Sequence, residues 1–362
     1  MDFTNKPIRG APPHNFIDTE WLALQTEEVL EPDTPIVDSH HHLWDRRPNS
    51  IYMLPELLAD IDGGGHNVRA TVFVECASMY RVDGDPRYAC VGQVEFVNGV
   101  GAVCASGVHG HVRACAGIVG KVDLTEGASA AEVLHACIAR APDRLRGIRH
   151  MAAWDSSREV SSLLRPPPPD LLESREFRSG FSLLAPLGLS FDAWVYHPQL
   201  HQVIALADAF PNTSIVLNHM GGRVAIGPYA DRRKEVFKEW SAQVRELARR
   251  ANVVVKIGGI GMRLGGFDFH DRELPPTSVN LAEAWRSDFD VCIDAFGPTR
   301  AMFESNFPVD KSACTYRVIW NTFKRLAEKF SASEKAALFA ETAVRVYRLP
   351  ATLAMSVDSR QL

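Results

Sequence analysis

Three consecutive histidines stand directly after a short apolar run, in the stretch PIVDSHHHLWD at residues 35–45. Residues two apart on a strand point to the same side, so His40 and His42 are predicted to face one interior and His41 the opposite side. Neutral imidazoles are good ligands for zinc, iron or manganese. The pair therefore predicts a metal site or a catalytic site, with hydrogen-bonded core histidines as the structural alternative.

Two further stretches place residues that could carry the same chemistry. In VLNHMGG, His219 follows an apolar run, and the glycines after it permit a tight turn. In SNFPVD, Asn306 follows another apolar run, and Asp310 comes four residues later. An amide can orient a water molecule, whereas a carboxylate can accept its proton. We therefore predict that these three residues are catalytic, with a helix N-cap as the alternative for Asp310.

Five more polar residues at the ends of apolar runs are predicted to contact the substrate: Glu75, Arg149, His150, His197 and Lys256. A buried arginine is costly unless it is paired, which favours Arg149 as the group that holds a substrate carboxylate or lactone oxygen. A structural ion pair between Arg149 and Glu75 is the alternative. Arg149 and His150 are adjacent, so only one of them can face the interior. The proline after His197 could simply begin a helix.

Eight short apolar or β-branched runs carry these residues near their ends. Their continuous hydrophobicity is typical of strands buried on both faces, as in a parallel sheet covered by helices. The predicted strands span residues 35–39, 69–77, 114–122, 145–152, 189–196, 214–219, 252–259 and 300–305. Helical patterns alternate with them at residues 129–140, 198–210, 229–251, 317–330 and 331–349.

This alternation predicts an α/β protein, a (β/α)8 TIM barrel formed by one domain over residues 34–362. A doubly wound open sheet is the alternative, but no Gly-x-Gly-x-x-Gly follows the first strand, where a dinucleotide fold would have it. Residues 1–33 form a short N-terminal extension, in which residues 18–30 are predicted to be helical. In TIM barrels the chemistry gathers at the C-terminal ends of the strands, which is where the candidate residues fall.

The composition limits the partners. The chain has 362 residues and a formal net charge of -5, which gives no electrostatic case for nucleic acid or an anionic membrane. No apolar run reaches the roughly 18 residues of a membrane helix, and no secretory signal is evident. The 7 cysteines stand singly, as reduced thiols do in a cytoplasmic protein. We expect a small-molecule substrate, and a homo-oligomer is allowed.

Four of these motifs, in order, resemble a known family. PIVDSHHHLWD, LRGIRHMA, VLNHMGG and RAMFESNFPVD are similar to the strand-end motifs of the amidohydrolase superfamily. The similar branch contains 2-pyrone-4,6-dicarboxylate lactonase and L-fuconolactonase-like enzymes. The resemblance runs from about residue 34 to the last helix.

The resemblance implies a distorted TIM barrel in which His40, His42 and His219 are active-site histidines and metal ligands. The implied cofactor is a divalent metal, zinc or manganese, although some lactonases of this branch are thought to work without one. Most relatives have the motif S-D-x-P on the eighth strand, and its aspartate binds metal or activates water. Asn306 stands there in this chain, so the general base is expected to be Asp310, His219 or Glu75.

The expected reaction is hydrolysis of a C–O bond in a small, carboxylated lactone. Arg149 and Lys256 are expected to hold the anionic end of the substrate. The long segment at residues 261–285 is predicted to be a lid or specificity loop, with an exposed excursion as the alternative. A metal-dependent non-oxidative decarboxylase of an aromatic acid, an amidase and a non-hydrolytic binding barrel remain as alternative functions.

Overall fold

The structure is a computed structural model that describes residues 16–47, 50–161 and 166–355. Within these ranges eight parallel strands follow one another in chain order around a barrel, with helices outside them. This confirms the predicted TIM barrel. The strands are β1 (Ile36–His41), β4 (Val68–Val74), β5 (Arg113–Gly120), β6 (Leu145–Ile148), β7 (Ser190–Ala193), β8 (Ile215–Leu217), β9 (Val253–Ile257) and β10 (Ala301–Phe303), and a separate antiparallel hairpin comprises β2 (Trp44–Arg46) and β3 (Ser50–Tyr52).

The barrel closes between its first and last strands just beyond the end of β10. Asn306 donates its backbone N–H to the carbonyl of His40, at 2.9 Å, and His42 donates to the carbonyl of Phe307, at 2.7 Å. This closure brings the segment after β10 directly beside the three histidines. His40 and Asn306, which were predicted to lie at the same end of the barrel, are neighbours because of these two hydrogen bonds.

The barrel strands after β1 are shorter than predicted, whereas β1 extends two residues beyond its predicted end and is irregular. Its pairing with β4 shifts register between Asp38 and His41. Val37 belongs to the apolar cluster inside the barrel, yet His40 and His42 also face the interior, which strict alternation from Val37 would not allow. The irregularity therefore turns the histidines toward the barrel axis.

Helices form in all the predicted segments, but their bounds differ: the segment 229–251 is α-helical over Arg233–Leu247, and the segment 317–330 over Tyr316–Leu326. Two predictions differ more. In the predicted helix at 18–30 only the first turn forms, with Asp18 accepting a hydrogen bond from the N–H of Trp21, so the predicted length was wrong. The predicted helix at 331–349 is interrupted by π-helical residues Ala337–Glu341. The helices are α1 (Thr19–Leu22), α2 (Leu54–Gly64), α3 (Val91–Ala105), α4 (Ala130–Arg140), α5 (Arg175–Phe181), α6 (Leu200–Ala209), α7 (Arg233–Leu247), α8 (Ser278–Phe296), α9 (Tyr316–Leu326), α10 (Ala332–Ala336) and α11 (Thr342–Val346).

The C-terminal helices close the end of the barrel where the strands begin. Thr342 and Arg345 donate hydrogen bonds to the carbonyls of Pro298 and Thr299, which precede β10. Tyr347 packs in the same apolar cluster as the valines that line the barrel. The opposite end, where the strands finish, is thereby left for the polar residues.

The described part of the N-terminal extension is packed on the barrel. Trp21 donates its indole N–H to the carbonyl of Arg272, at 3.1 Å. Lys324 of α9 donates to the carbonyl of Leu30, at 2.6 Å. Residues 1–15 lie outside the described residues. None of the described helices is both long and apolar enough to cross a membrane.

The segment after β9, predicted as a lid, is not an exposed excursion. Leu264, Phe269 and His270 are buried within it. The N–H of Gly261 donates to the carboxylate of Asp310, at 3.0 Å, which ties the segment to the residues after β10. Helix α8 begins at Ser278, so the irregular part is shorter than the predicted 261–285. Its role as a specificity element stays a prediction.

Candidate active site

Three histidines from distant parts of the sequence meet at the C-terminal end of the barrel. The ring centroids of His40 and His42 lie 4.9 Å apart, and those of His40 and His219 lie 4.7 Å apart. All three side chains are buried. His41 points away and meets the hydroxyl of Thr71 through its Nε2, at 2.8 Å. The convergence predicted from strand alternation is therefore present.

Glu304, at the end of β10, connects two of these rings. Its Oε1 lies 2.7 Å from Nδ1 of His219 and also accepts the backbone N–H of the same residue, at 3.0 Å. Its Oε2 lies 2.8 Å from Nδ1 of His40. None of the described residues donates a hydrogen bond to this buried oxygen. One carboxylate thus sets the positions of two imidazoles.

The backbone at His219 has an unusual conformation that permits this double contact. His219 has φ of 52° and Met220 has φ of 53°, both in the left-handed region that side chains other than glycine rarely adopt. Asn306 has φ of 54°. Such conformations cost about 1–3 kcal/mol each and concentrate at functional sites, because the surrounding structure has to hold them. Here the Glu304 carboxylate is part of what holds His219.

Hydrogen bonds fix where two of the rings carry their protons. Nδ1 of His42 lies 2.8 Å from the carbonyl of Val74, and Nδ1 of His219 lies 2.7 Å from the Glu304 carboxylate. Oxygens of these kinds only accept, so each Nδ1 is the donor. Nε2 of both rings is therefore left with a lone pair that can accept a proton or bind a metal.

The two first-strand histidines are neutral. Burial lowers the pKa of His40 well below its usual value, and the nearby Lys256 ammonium lowers it further. Burial also lowers the pKa of His42, with a second contribution from Arg149. Both rings can therefore act as neutral ligands or hydrogen-bonding groups near neutral pH.

A buried ion pair lies beside His40, on the side toward the C-terminal helices. Lys256 donates to Asp192 at 2.8 Å, and its ammonium lies 3.4 Å from Nδ1 of His40. Asp192 also accepts from Asn218, at 3.0 Å, and from the hydroxyl of Tyr347, at 3.0 and 3.1 Å. Lys256 and Asp192 are wholly buried. Lys256, which was predicted to bind the substrate, therefore forms an ion pair with Asp192 of the protein itself.

Arg149 is paired as well. Its Nε donates to Glu75 at 3.0 Å, its Nη2 donates to the backbone carbonyl of Glu75, and its Nη1 lies 3.4 Å from Nε2 of His40. The structural ion pair left open as an alternative is thus present. The guanidinium nevertheless borders the histidine cluster, where a developing negative charge could be stabilised.

Asn306 and Asp310 form a pair of their own. The amide Nδ2 of Asn306 donates to Oδ1 of Asp310 at 2.9 Å, and the N–H of Gly261 donates to Oδ2. Burial raises the pKa of Asp310 to about 8. Both oxygens of Asp310 accept hydrogen bonds and its side chain is fully buried, so it holds Asn306 in place, and its catalytic role stays a prediction.

His150 and His197 are predicted site residues that the structure keeps apart from the cluster. Nδ1 of His150 accepts the N–H of Leu124, at 3.3 Å, and Nδ1 of His197 accepts the N–H of Val224, at 3.2 Å. In the described part of the chain, neither His150 nor His197 contacts His40, His42 or His219. Strand β7 ends at Ala193, four residues before His197, so the predicted strand end was placed too late. Their substrate-binding role stays a prediction.

Sequence reasoning missed Glu304 and Asp192 as site residues. Asp192 lies inside β7 and Glu304 directly follows β10, and both fall within predicted strands that were recognised only as apolar runs. Glu304 is two residues before Asn306 and Asp192 lies in a wholly buried strand. A charged residue within a strand buried on both faces was the available signal, because such a residue needs a partner.

The residues present suit a divalent metal. Nε2 of His40 and Nε2 of His42 are 3.3 Å apart, the separation expected for two imidazole nitrogens about 2.0–2.1 Å from one tetrahedral ion. Oε2 of Glu304 lies 2.8 Å from Nδ1 of His40, so it supports that ring from the side opposite the two Nε2 atoms. His40, His219 and Glu304 also place ligand atoms within 4.8 Å of one another.

Comparison with known proteins agrees with this geometry. The family model described as Amidohydrolase matches residues 37–349. An uncharacterised protein of Sinorhizobium fredii is 31% identical over 88% of this chain and 99% of its own length. An L-fucono-1,5-lactonase of Burkholderia multivorans is 30% identical over 57% of this chain and 64% of its own length.

Solved structures share the fold. A crystal structure of an amidohydrolase from Burkholderia multivorans with bound zinc is 23% identical, with a TM-score of 0.65 over 88% of this chain and 100% of that one. A putative 2-pyrone-4,6-dicarboxylic acid hydrolase from Pseudomonas putida is 19% identical, with a TM-score of 0.55 over 87% of this chain and 97% of that one.

Proposed function

The chain belongs to the amidohydrolase family, and from that membership we propose that it hydrolyses the C–O bond of a small lactone. The observation that carries the proposal is the pairing of His219 with the Glu304 carboxylate, at 2.7 Å, beside two neutral imidazoles. The similarity to L-fucono-1,5-lactonases supports a lactone as the substrate.

We assign the general base to His219. Its Nδ1–H is held by Glu304, so Nε2 can take a proton from water while the carboxylate stabilises the resulting imidazolium. The oxygen of that water bonds to the lactone carbonyl carbon. The ring C–O bond then breaks, and His219 returns its proton to the departing oxygen. The product is the open hydroxy acid.

Arg149 is proposed to stabilise the charge on the carbonyl oxygen during this step. Its guanidinium is held by Glu75 and borders Nε2 of His40. A donor fixed in advance of the reaction contributes more than one that must be reoriented, because the reorganisation is already complete. Glu75 is accordingly a positioning residue for Arg149 and not the general base.

His40 and His42 would hold a divalent metal through their Nε2 atoms, whereas His219, expected from the sequence as the third ligand, keeps its Nε2 for the proton of the water. When bound, zinc or manganese would supply Lewis-acid polarisation of the carbonyl. The zinc in the related crystal structure supports this cofactor. Asn306 does not replace the aspartate of other family members as a base, because its amide is turned toward Asp310.

A substrate carboxylate is less well supported than the lactone ring. Arg149 and Lys256, the two cations expected to hold it, each face a carboxylate of the protein, at 3.0 and 2.8 Å. Their charges are thereby compensated within the protein. We therefore propose a small lactone as the substrate, without the carboxylate that was expected from the sequence.

The test is hydrolysis of a panel of γ- and δ-lactones by the purified protein, followed by acid release and by the mass of the product. Ring opening adds one water and loses no carbon. The His219→Asn variant should lose activity, whereas His201→Asn, an exposed histidine on α6, should not. Carbon dioxide release from aromatic acids would instead assign decarboxylation, and the absence of turnover on both panels would favour a binding barrel.

A further inference from the structure

We propose that Tyr80 determines substrate specificity, because its hydroxyl and Oε2 of Glu75 together hold a hydroxyl group on the lactone carbon next to the carbonyl. This inference rests on the proposed lactonase function and concerns a group of the substrate that does not react. It is carried by two buried polar atoms in the segment after β4, neither of which has a hydrogen-bond partner among the described residues.

Only one oxygen of the Glu75 carboxylate is hydrogen-bonded within the protein. Oε1 accepts from Nε of Arg149 at 3.0 Å, whereas nothing in the described chain donates to Oε2. The Glu75 side chain is wholly buried. A buried carboxylate oxygen is stable only where a donor or water meets it. Oε2 therefore indicates a place for a donor that the protein itself does not supply.

Tyr80 brings a second such atom to the same carboxylate. Its ring is half-buried, its hydroxyl is buried, and no described residue is hydrogen-bonded to that hydroxyl. Burial raises the pKa of Tyr80, and the Glu75 carboxylate is the neighbouring charge that raises it most, so the phenol stays protonated and can donate. The hydroxyl and Oε2 do not bond to each other, so one group could satisfy both.

The chemistry of these two atoms selects a hydroxyl as that group. The phenol of Tyr80 needs an acceptor, and Oε2 of Glu75 needs a donor. A substrate hydroxyl is both at once, whereas a carboxylate or carbonyl oxygen only accepts and would face Oε2 with like charge or none to share. An alkyl group would leave both polar atoms without a partner.

The connection between β4 and α3 holds Tyr80 in place before any substrate binds. Ala77 has φ of 55° and Met79 has φ of 54°, both in the left-handed region. Ser78, between them, accepts a hydrogen bond at its carbonyl from the side chain of Gln93 on α3, at 3.0 Å. Strained backbone of this kind persists where the surrounding structure imposes it, and it concentrates at functional sites.

The position of the substrate hydroxyl follows from Arg149. The guanidinium that is proposed to contact the lactone carbonyl oxygen is bonded to Oε1 of Glu75, and Oε2 belongs to the same carboxylate. A substrate group bound at Oε2 therefore lies beside the carbonyl. The nearest ring substituent is one on the adjacent carbon, which makes the preferred substrate an α-hydroxy lactone.

The experiment measures kcat/KM for γ-butyrolactone and for its α-hydroxy and β-hydroxy derivatives, with the wild type and with Tyr80→Phe. We expect the ratio of the α-hydroxy to the unsubstituted lactone to be about 3–10-fold lower in Tyr80→Phe, the worth of one hydrogen bond. The electronic effect of the hydroxyl on the carbonyl is the same with both enzymes, so a change in the ratio reports the contact. The ratio for the β-hydroxy lactone should not change.

The matched control is Tyr88→Phe, at a half-buried tyrosine of the same connection whose hydroxyl donates to Glu132 at 3.3 Å. It should leave both ratios at their wild-type values. A loss shared equally by all three lactones in Tyr80→Phe would overturn the inference, because Tyr80 would then act on the fold or on the reacting groups. A changed ratio for the β-hydroxy lactone would overturn the placement beside the carbonyl.

A water molecule held permanently between Tyr80 and Glu75 is the structural alternative. In that case Tyr80→Phe would lower the melting temperature and leave the ratios unchanged, which would also overturn the inference. Under the inference the melting temperature should not fall, since the phenol loses no partner within the protein. Absence of turnover on these lactones and on the wider lactone panel would contradict the lactonase assignment itself.

Discussion

Two sets of buried histidines differ in the direction of the hydrogen bond at Nδ1. In His42 and His219 the Nδ1–H donates, to a carbonyl and to a carboxylate. In His150 and His197 the Nδ1 accepts a backbone N–H from a neighbouring loop. The first set keeps a lone pair at Nε2 for chemistry, whereas the second uses its lone pair to fix the loops. The direction of the hydrogen bond at Nδ1 therefore separates the imidazoles proposed to be catalytic from His150 and His197 better than position at a strand end does.

The largest effect should follow from removal of the proposed base. His219→Asn is expected to lower kcat by roughly 10²–10⁴-fold, the range of general base catalysis, because no other group takes the proton of the water. Its melting temperature should stay within a few degrees of wild type. Measured kcat and thermal unfolding decide the matter. A variant that keeps wild-type kcat would remove His219 from the chemical step.

The second effect tests the carboxylate that orients the central set. Glu304→Gln keeps the shape but weakens the bond to Nδ1 of His219 and leaves the imidazolium less stabilised. We expect kcat to fall about 10–100-fold, with metal affinity falling by a similar factor where metal is bound. Titration with zinc followed by elemental analysis measures the second quantity. Unchanged kcat and affinity would contradict a positioning role for Glu304.

The third prediction concerns the amide after β10. Asn306→Asp would place two carboxyl groups where Nδ2 now donates to Asp310 at 2.9 Å, so one of them must hold a proton. We expect the free energy of unfolding to fall by about 1–3 kcal/mol, and kcat to fall. Asn306→Ala serves as the control without added charge. A gain of both metal and activity would instead identify the asparagine as a weakened metal ligand.

The fourth prediction concerns His197, whose Nδ1 accepts a backbone N–H, and here we expect stability to change more than kcat. His197→Phe removes the acceptor of the Val224 N–H and should lower the free energy of unfolding by about 1–3 kcal/mol. The kcat of the folded fraction should remain near that of wild type. Chemical unfolding and active-site titration separate the two quantities. A large loss of kcat without loss of stability would place His197 in the substrate site after all.

The smallest effect is a pH dependence of stability. Burial lowers the pKa of His150 and of His197 from 6.5 to about 4. Between these values His150 and His197 bind protons in the unfolded chain that they do not bind in the folded chain, so their contribution to the free energy of unfolding falls as pH decreases from 6.5 toward 4. That contribution is fully present above pH 6.5. The difference between wild type and His197→Gln across this range isolates one residue, and parallel curves would contradict the prediction.

Much of the fold could be predicted from the sequence, because strands buried on both faces leave continuous apolar runs. Those runs located all eight barrel strands, and the TIM-barrel rule then placed His40, His42 and His219 together. Strand ends were less certain, since an apolar run continues into buried loops. His197 was placed at a strand end for that reason, although β7 stops at Ala193.

The partners within the site were the harder part. Glu304 was hidden in an apolar run, and its double contact depends on the left-handed backbone at His219, which no pattern in VLNHMGG specifies. The pairing of Lys256 with Asp192 likewise joins strands far apart in the sequence. Sequence patterns locate residues along one chain, whereas the charge balance of a site depends on which residues meet across the barrel.

The hydroxyl of Tyr347 extends the influence of the C-terminal helices into the site. It binds Asp192, which holds the lysine beside His40. The C-terminal helices, which close the end of the barrel where the strands begin, are therefore connected by hydrogen bonds to the residues at its opposite end. A substitution at Tyr347, such as Tyr347→Phe, would therefore act on turnover as well as on stability.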